Sequence, residues 1–354
     1  MRITLCHPGA SWATADVYTG LLGGLRARGH LVEEFALSGR LQASRVTLEY
    51  LWRKQVRNEG PLKDVRPTTA DVQYLAGQAL LERALRFEPD WVVVVCAAYL
   101  HPDVLILCRR AGLKLAAVFT ESPYDDPEQA KVAPLFDVCF TNERASVPVL
   151  RQSNPNTHYL PGGYDPATHG WPTPDAGITP LGDHERGNNR EPFDVVFVGT
   201  GFSSRMDFLA QADWTGIGLR LYGYWDDVPK RHPLAPFLHP GLVDNARAGQ
   251  LYRNARIGLN LYRDPGWGNA ESLNPRAYEL AADGVFTLSR PRAEVSERFG
   301  PLVPTFDTPR ELETLVRHFL LNEGARRDAA AALPALVAED TYHHRAAELV
   351  AKLS

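Results

Sequence analysis

Short, nearly continuous apolar runs alternate with segments of helical periodicity along almost the whole chain. In the first half, "RITLCH", "LVEEFAL", "DWVVVVCAA", "KLAAVFT", "DVCFTN" and "HYLP" predict strands. Several are apolar without interruption, the pattern of strands buried on both faces. Between them, residues 14–28 and 69–86 carry helix formers at helical spacing. From 171 to 193 the pattern gives way to a segment rich in Pro, Gly, Asn and charge, which predicts a linker. The alternation then resumes with "FDVVFVG", a helix from about 204, "LRLYGY", a helix near 244–254, "IGLNLY", a helix after Asn274, "GVFTLS" and "VPTFDT". The tail from Pro309 is predicted helical with a break near Pro334. The expected class is α/β, with two Rossmann-like doubly wound domains, 1–170 and 194–354, facing a cleft, and a last helix free to pack back on the first domain. Ligands of such sheets bind at the carboxyl ends of strands, so the loops that follow strands are where function is sought.

Composition narrows the class without naming a chemistry. The 354 residues are 44% hydrophobic and 23% charged, with a net charge of −4, as expected of a soluble globular protein and not of a general nucleic-acid binder. No apolar run is long enough for a membrane span, and "MRITLCHPGA" is a charged residue and a short strand rather than a signal peptide. A cytoplasmic protein is expected. Cys6, Cys96, Cys108 and Cys139 are scattered singly, which favours buried free thiols over disulfides or a metal site. His343 and His344 are adjacent, but neighbouring side chains on a helix diverge.

Two loops carry candidate chemistry. In "VFVGTGFSSRMDF" a strand runs into Gly199, Thr200 and Gly201 and then into a helix expected to be capped by Ser203 or Ser204. Glycines admit close approach of a ligand, and a helix amino end favours anions. Arg205 opposes the helix dipole there, a conflict that a bound phosphate would remove; an exposed arginine in a plain strand-to-helix turn accounts for the loop equally well. In "GNAESLNPRAYELAADGVF", Asn274 is predicted as the N-cap, Pro275 as the first helical residue, and Gly284 as the end of the helix, with Ala277, Leu280 and Ala281 facing a core. Glu271 lies just before this helix and Glu279 within it, seven residues between them. A purely structural account makes Glu271 a loop acid at the positive helix end and pairs Glu279 with Arg276. G-x-G-x-x-G, a P-loop, G-x-S-x-G, a zinc-protease helix and a D-x-D triplet are all missing, and the pairs Asp125-Asp126 and Asp226-Asp227 are no substitute for the last.

The spaced glutamates resemble the E-x7-E signature of retaining glycosyltransferases with the GT-B fold. More specifically, "GNAESLNPRAYELAADGVF" with "ERFGPLVPTFDTPRELETLV", "FVGTGFSSR", "RLYGYWDD", "FTESPYDDP" and "TNERASVPVLRQSNPNTHYLPGGYDPATHG" look like the spore maturation protein B-like (CgeB-type) glycosyltransferases. The similarity is strongest after residue 194. It implies that Glu271 contacts the sugar of a nucleotide-sugar donor and that Glu279 holds ribose hydroxyls. It implies further that amides around Ser272, Leu273 and Asn274 face the diphosphate, as expected of a helix start. Arg205, with Arg276, would neutralise the leaving group. Gly199, Thr200 and Gly201 would line the phosphates, and Tyr222, Gly223, Tyr224 and Trp225 would frame the base. One departure is "DPGWGNAE" with Trp267, where relatives are richer in glycine, so the donor is left open. A UDP-sugar is the favoured donor, with no prosthetic group and no metal expected.

On the acceptor side, the amino-terminal domain offers Ser11 and Asp16 after the first strand, Tyr99 and His101 after "VVVVCAA", and Glu121, Tyr124 and Asp125 after "KLAAVFT". Helix capping explains Ser11 and Asp16 equally well, and a Pro-containing turn explains the last three. His101 either hydrogen-bonds an acceptor or sits at the surface. The family resemblance admits glycan, small-molecule and hydroxymethylated DNA acceptors. For DNA, Arg45, Arg53, Lys54, Arg57, Lys63 and Arg66 interleave with Tyr50 and Trp52. The net negative charge favours a glycan or small molecule. A nucleotide-sugar-binding protein without transfer activity and an epimerase are the other classes to separate.

Overall fold

A computed structural model describes residues 1–9, 14–170, 193–225, 228–241, 243–263 and 269–354. Apart from Phe193, the expected linker at 171–193 lies outside the described residues, as do Ser11 and Trp267. Two compact units make up the chain: Met1–Pro161 with Tyr342–Ser354, and Gly162–Thr341.

The first unit runs β1 (Arg2–His7), α1 (Ala15–Ala27), β2 (Leu31–Ala36), α2 (Ser38–Arg57), α3 (Thr69–Phe87), β3 (Trp91–Val95), α4 (Pro102–Arg110), β4 (Leu115–Phe119), α5 (Asp126–Val132), β5 (Val138–Thr141), α6 (Val147–Leu150) and β6 (Thr157–Tyr159). Its strands form one parallel sheet, β2-β1-β3-β4-β5-β6. The continuous valines of β3 are explained by their two faces. Val92 and Val94 join a core with Phe35, Leu80 and Leu105, while Val93 and Val95 join another with Leu5, Leu21 and Leu349. All five β3 residues are buried, each valine contributing about 1.5 kcal/mol or more. Local chemistry sets the helix starts: Thr68 and Asp71 form a capping box at α3.

In the second unit, β7 (Phe193–Val198), α7 (Ser203–Ala210), β8 (Leu219–Gly223), β9 (Leu238–Pro240), α8 (Asn245–Arg253), β10 (Ala255–Asn260), α9 (Pro275–Ala282), β11 (Thr287–Ser289), α10 (Ala293–Phe299), α11 (Pro309–Leu321) and α12 (Glu323–Leu336) follow in turn. Its parallel sheet has the order β11-β10-β7-β8-β9. The tail is broken near Pro334 as expected: Pro334 lies in the last turn of α12, which ends at Leu336, and the next helix starts at Tyr342. An earlier break, not expected, falls at Asn322, whose side-chain amide donates to the His318 carbonyl at 2.7 Å and closes α11.

The final helix, α13 (Tyr342–Leu353), belongs to the first unit and packs on α1. A Cβ on Gly24 would lie 2.7 Å from His343 Cα and 2.8 Å from Ala346 Cβ, so glycine sets this close crossing. Trp91 Nε1 donates to the Leu353 carbonyl at 3.0 Å and ties the chain end to β3. All four cysteines are buried free thiols. Among the described residues, no helix is long and apolar enough to cross a membrane.

Candidate active site

In the second unit the strand order reverses at β7, with β8 on one side and β10 on the other. That is where such sheets leave a crevice at their carboxyl ends. The loop after β7 is held against β8 by two backbone hydrogen bonds, Gly199 N–H to Tyr222 O and Gly201 N–H to Tyr224 O, both 2.9 Å. Gly223 makes this approach possible. Its φ is +114°, and a Cβ there would lie 2.9 Å from Gly199 C and 3.1 Å from Gly199 N. A side chain at Gly201 would enter the Trp225 ring. Trp225 is buried edge-on to Phe197, and its Nε1 donates to Tyr222 O at 3.1 Å. It packs as a core residue, where the family resemblance implied that it would frame the base. Tyr222 stacks on His239 at 4.8 Å, and Tyr224 exposes half its surface.

Arg205 is placed otherwise than expected. Phe202, not Ser203 or Ser204, is the N-cap of α7, and Ser204 Oγ donates to Arg263 O at 2.6 Å. The Arg205 guanidinium is buried and donates to Thr200 O (2.9 Å), Leu261 O (3.0 Å) and Tyr262 O (3.0 Å). These bonds tie the loop after β7, which includes Thr200, to the residues following β10. The charge answers carbonyl dipoles, so the expected conflict with the helix dipole is relieved within the protein. Arg276 also bridges these strands, donating to Val198 O at 2.8 Å and Leu261 O at 3.1 Å, its guanidinium over the Phe197 ring. Gly199 lies directly against it, since a Cβ there would strike Arg276 Nη2.

The α9 start matches its sequence reading. Asn274 caps it by accepting from Ala277 N at 3.2 Å, Pro275 is the first helical residue, and Gly284 follows the helix at φ +63°. Ala277, Leu280 and Ala281 are buried. The preceding loop is stapled by residues that sequence analysis did not single out. Glu294 accepts from the Leu273 amide at 2.8 Å, its own amide donates to Glu271 O at 3.0 Å, and Arg292 donates to Ala270 O. Of the amides expected to face a diphosphate, that of Leu273 is thus already given to a carboxylate. Ser272 is buried, and Glu271 half-buried.

Glu279 accepts from the Tyr252 hydroxyl at 3.4 Å. Burial, then the nearby Glu279 carboxylate, push the Tyr252 hydroxyl's pKa up, so Tyr252 stays a donor. A ring nitrogen of His169 lies within 4.8 Å of the Glu279 carboxylate. His169 Nδ1 in turn meets Asp283 Oδ2 at 2.8 Å, both side chains wholly buried, and Asp283 also takes Arg253 Nη1 and the Gly170 amide. The only sequence signal for this pair was the place of His169 in "GGYDPATHG" and of Asp283 before Gly284.

In the first unit, His101 is the N-cap of α4, its Nδ1 accepting from Asp103 N at 3.2 Å, which accounts for its place at a strand's end. Asp16 lies in the first turn of α1 after the N-cap Thr14. Tyr99 and Tyr124 are half-buried, and Glu121 and Asp125 line a cavity of about 270 Å³ at the carboxyl ends of β3 and β4. His7, which sequence analysis passed over, is buried at the end of β1, stacked on Tyr18 at 3.6 Å and bonded to Glu34 at 3.0 Å. The basic segment is partly answered internally. Glu49 pairs with Arg53 (2.9 Å) and Arg66 (3.7 Å), and Trp52 Nε1 donates to Lys63 O.

Residues 205–351 match a family model described as glycosyl transferase-like. No curated protein matches the chain. Among solved structures, it is similar to Alr3699/HepE of Anabaena in complex with UDP-glucose, at 12% identity and a TM-score of 0.64, covering 99% of each chain. Sucrose-phosphate synthase from Thermosynechococcus elongatus is similar at 12% identity and a TM-score of 0.65, covering 99% of this chain and 98% of that one. A UDP-N-acetylglucosamine 2-epimerase is similar at 12% identity and a TM-score of 0.56, covering 99% and 94%. At such identities the likeness shows the fold: two Rossmann-like parallel α/β domains of the GT-B type.

Proposed function

We propose that this protein is a glycosyltransferase that moves a sugar from a nucleotide diphosphate donor to a hydroxyl acceptor, with retention at the anomeric carbon and without a metal. The observation that carries the proposal is the convergence, on one carboxyl edge of the second unit's sheet, of the Gly199–Gly201 loop, Arg276 and the α9 start that bears both glutamates. The glycosyl transferase-like match over 205–351 supports it. A UDP-sugar is the favoured donor, since a neighbour of the same fold was crystallised with UDP-glucose.

In this proposal Glu279, steadied by Tyr252, holds the ribose hydroxyls, and Glu271, in its stapled loop, holds the transferred sugar. Arg276 lies against Gly199, where phosphate charge would be met. Arg205 acts as a positioning residue through the three carbonyls it holds. The bond from the anomeric carbon to the phosphate oxygen breaks as the acceptor oxygen bonds on the same face. The acceptor's proton passes to the departing phosphate oxygen, so no strong protein base is required. A glycan or small molecule is favoured as acceptor over DNA, because Glu49 offsets part of the basic segment.

UDP and UDP-sugar titration followed by product analysis tests the assignment. Glu271→Ala should cut turnover by about 10²-fold with little change in nucleotide affinity, since its partner is the reacting sugar. Glu279→Ala should mainly raise the donor constant. The same pattern in both variants would refute the division of roles, and a complete loss on EDTA treatment restored by metal would refute metal independence. Because an epimerase shares the fold, conversion of the donor to its 2-epimer without transfer would reassign the reaction.

A further inference from the structure

Exposed apolar side chains are not scattered evenly over the protein. Among the described residues, fourteen large apolar side chains are exposed, and six of them, Val46, Tyr50, Leu51, Val56, Leu62 and Val65, fall within α2 and the loop after it. Clustering of this kind, unlike single exposed residues, marks an interaction surface. α2 packs on α3, and Leu41 reaches the core from it, but Ser44 is its only buried residue. Val46, Tyr50, Arg53 and Arg57 follow one another at helical spacing on one exposed face, while half-buried Leu41, Leu48 and Trp52 take the other side. The loop is fastened beside the helix: Trp52 Nε1 donates to Lys63 O at 2.9 Å, and the Arg66 guanidinium lies over the Trp52 ring at 5.3 Å.

Charge is the second, independent observation. Residues 38–66 contain seven basic and three acidic side chains, whereas the whole chain has a net charge of −4. Glu49 answers Arg53 and Arg66. Among the described residues, Arg45, Lys54, Arg57 and Lys63 have no ion-pair partner, and all four are exposed.

The two features together select the partner. A second copy of the chain would bring two basic patches face to face. Nucleic acid would satisfy the charges, but its phosphates and sugars offer nothing to valine and leucine, and Tyr50 is the one exposed aromatic ring in the patch. The interface of an anionic bilayer meets both needs, with phosphates at headgroup depth and acyl chains just beneath, and tyrosine suits the boundary between them.

We infer that the exposed face of α2 docks the protein on an anionic lipid bilayer, with the helix lying in the headgroup plane, Val46 and Tyr50 at the acyl boundary, and Lys54 and Arg57 against lipid phosphates. This docking needs no transferase activity, so it stands apart from the function proposed above.

The test is flotation of the full chain with vesicles of phosphatidylcholine alone and of equimolar phosphatidylcholine and phosphatidylserine, at low and at high salt, with no sugar donor present. Binding to the mixed vesicles only, weakened by salt, is expected. Lys54→Gln with Arg57→Gln should weaken it about 25-fold, about fivefold for each charge removed. Val46→Gln with Tyr50→Gln, which keeps every charge and introduces a good helix former, should weaken it about tenfold or more. All four side chains are exposed, so both variants should melt with the unaltered protein; if one melts early, the comparison of the two vesicle types with the unaltered protein decides. No binding to the mixed vesicles, equal binding to both types, or binding that the apolar variant leaves unchanged would overturn the inference. Tighter binding to duplex DNA that falls only in the charge variant would reassign the patch to nucleic acid, and self-association abolished by the apolar variant would reassign it to a second copy. UDP binding, measured separately, bears on the transferase reading alone.

Discussion

Replacing Gly223 by alanine probes whether the approach of β8 to the loop after β7 builds the donor site. At φ +114° an L side chain costs about 1–3 kcal/mol in backbone strain. The added methyl would also meet Gly199 backbone atoms at 2.5–3.1 Å, and overpacking of that kind costs about 1–3 kcal/mol. Backbone cannot rotate away as a side chain can, so the total should be about 3 kcal/mol or more, and the loop should move. Gly216 supplies the control. Its φ is +74°, but nothing lies within 4 Å of a Cβ there, and it precedes the amino end of β8, away from the loop after β7. Gly216→Ala should cost only about 1–2 kcal/mol. Thermal unfolding should then show a fall of roughly 6–12 °C for Gly223→Ala and roughly 2–8 °C for Gly216→Ala. UDP affinity, measured by calorimetry, should drop about tenfold or more for the first and hardly change for the second. Equal effects of the two variants on stability and on affinity would refute the view that this contact shapes the site.

Arg205→Ala should destabilise the second unit by about 3 kcal/mol, because three buried carbonyls lose a charged donor, and Arg205→Lys should recover little of it, since an ammonium cannot span all three. Full activity and stability in the lysine variant, read by donor hydrolysis and melting, would contradict that role. His7 makes a pH prediction: burial holds its pKa below the usual 6.5, against the raising influence of Glu34. Between the folded value and 6.5 the unfolded chain binds more protons, so this contribution to stability is present above 6.5 and is lost as pH falls through that window. Melting of the His7→Gln variant should depend less on pH below about 6.5 than that of the unaltered protein, and an unchanged slope would rule the group out.

The elements themselves were written locally. The apolar run of β3, the Asn274-Pro275 start of α9 and the Gly284 stop are dictated by residues within one turn of where they act, so periodicity and capping rules found them. The same rules misplaced the α7 cap, because a serine there bonds a distant carbonyl. The spaced glutamates and the glycine loop were visible in the chain, but their fastening was not. Arg205 reaches carbonyls 56 and 57 residues away, Glu294 an amide 21 residues away, and His169 a carboxylate 114 residues away. A hydrogen bond has no sequence periodicity when its partners meet only through the order of strands in a sheet. Sequence therefore determined which residues could carry the chemistry, and the tertiary structure decided which of them are fixed as braces and which line a site, because burial and hydrogen-bond partners exist only once the sheets have formed.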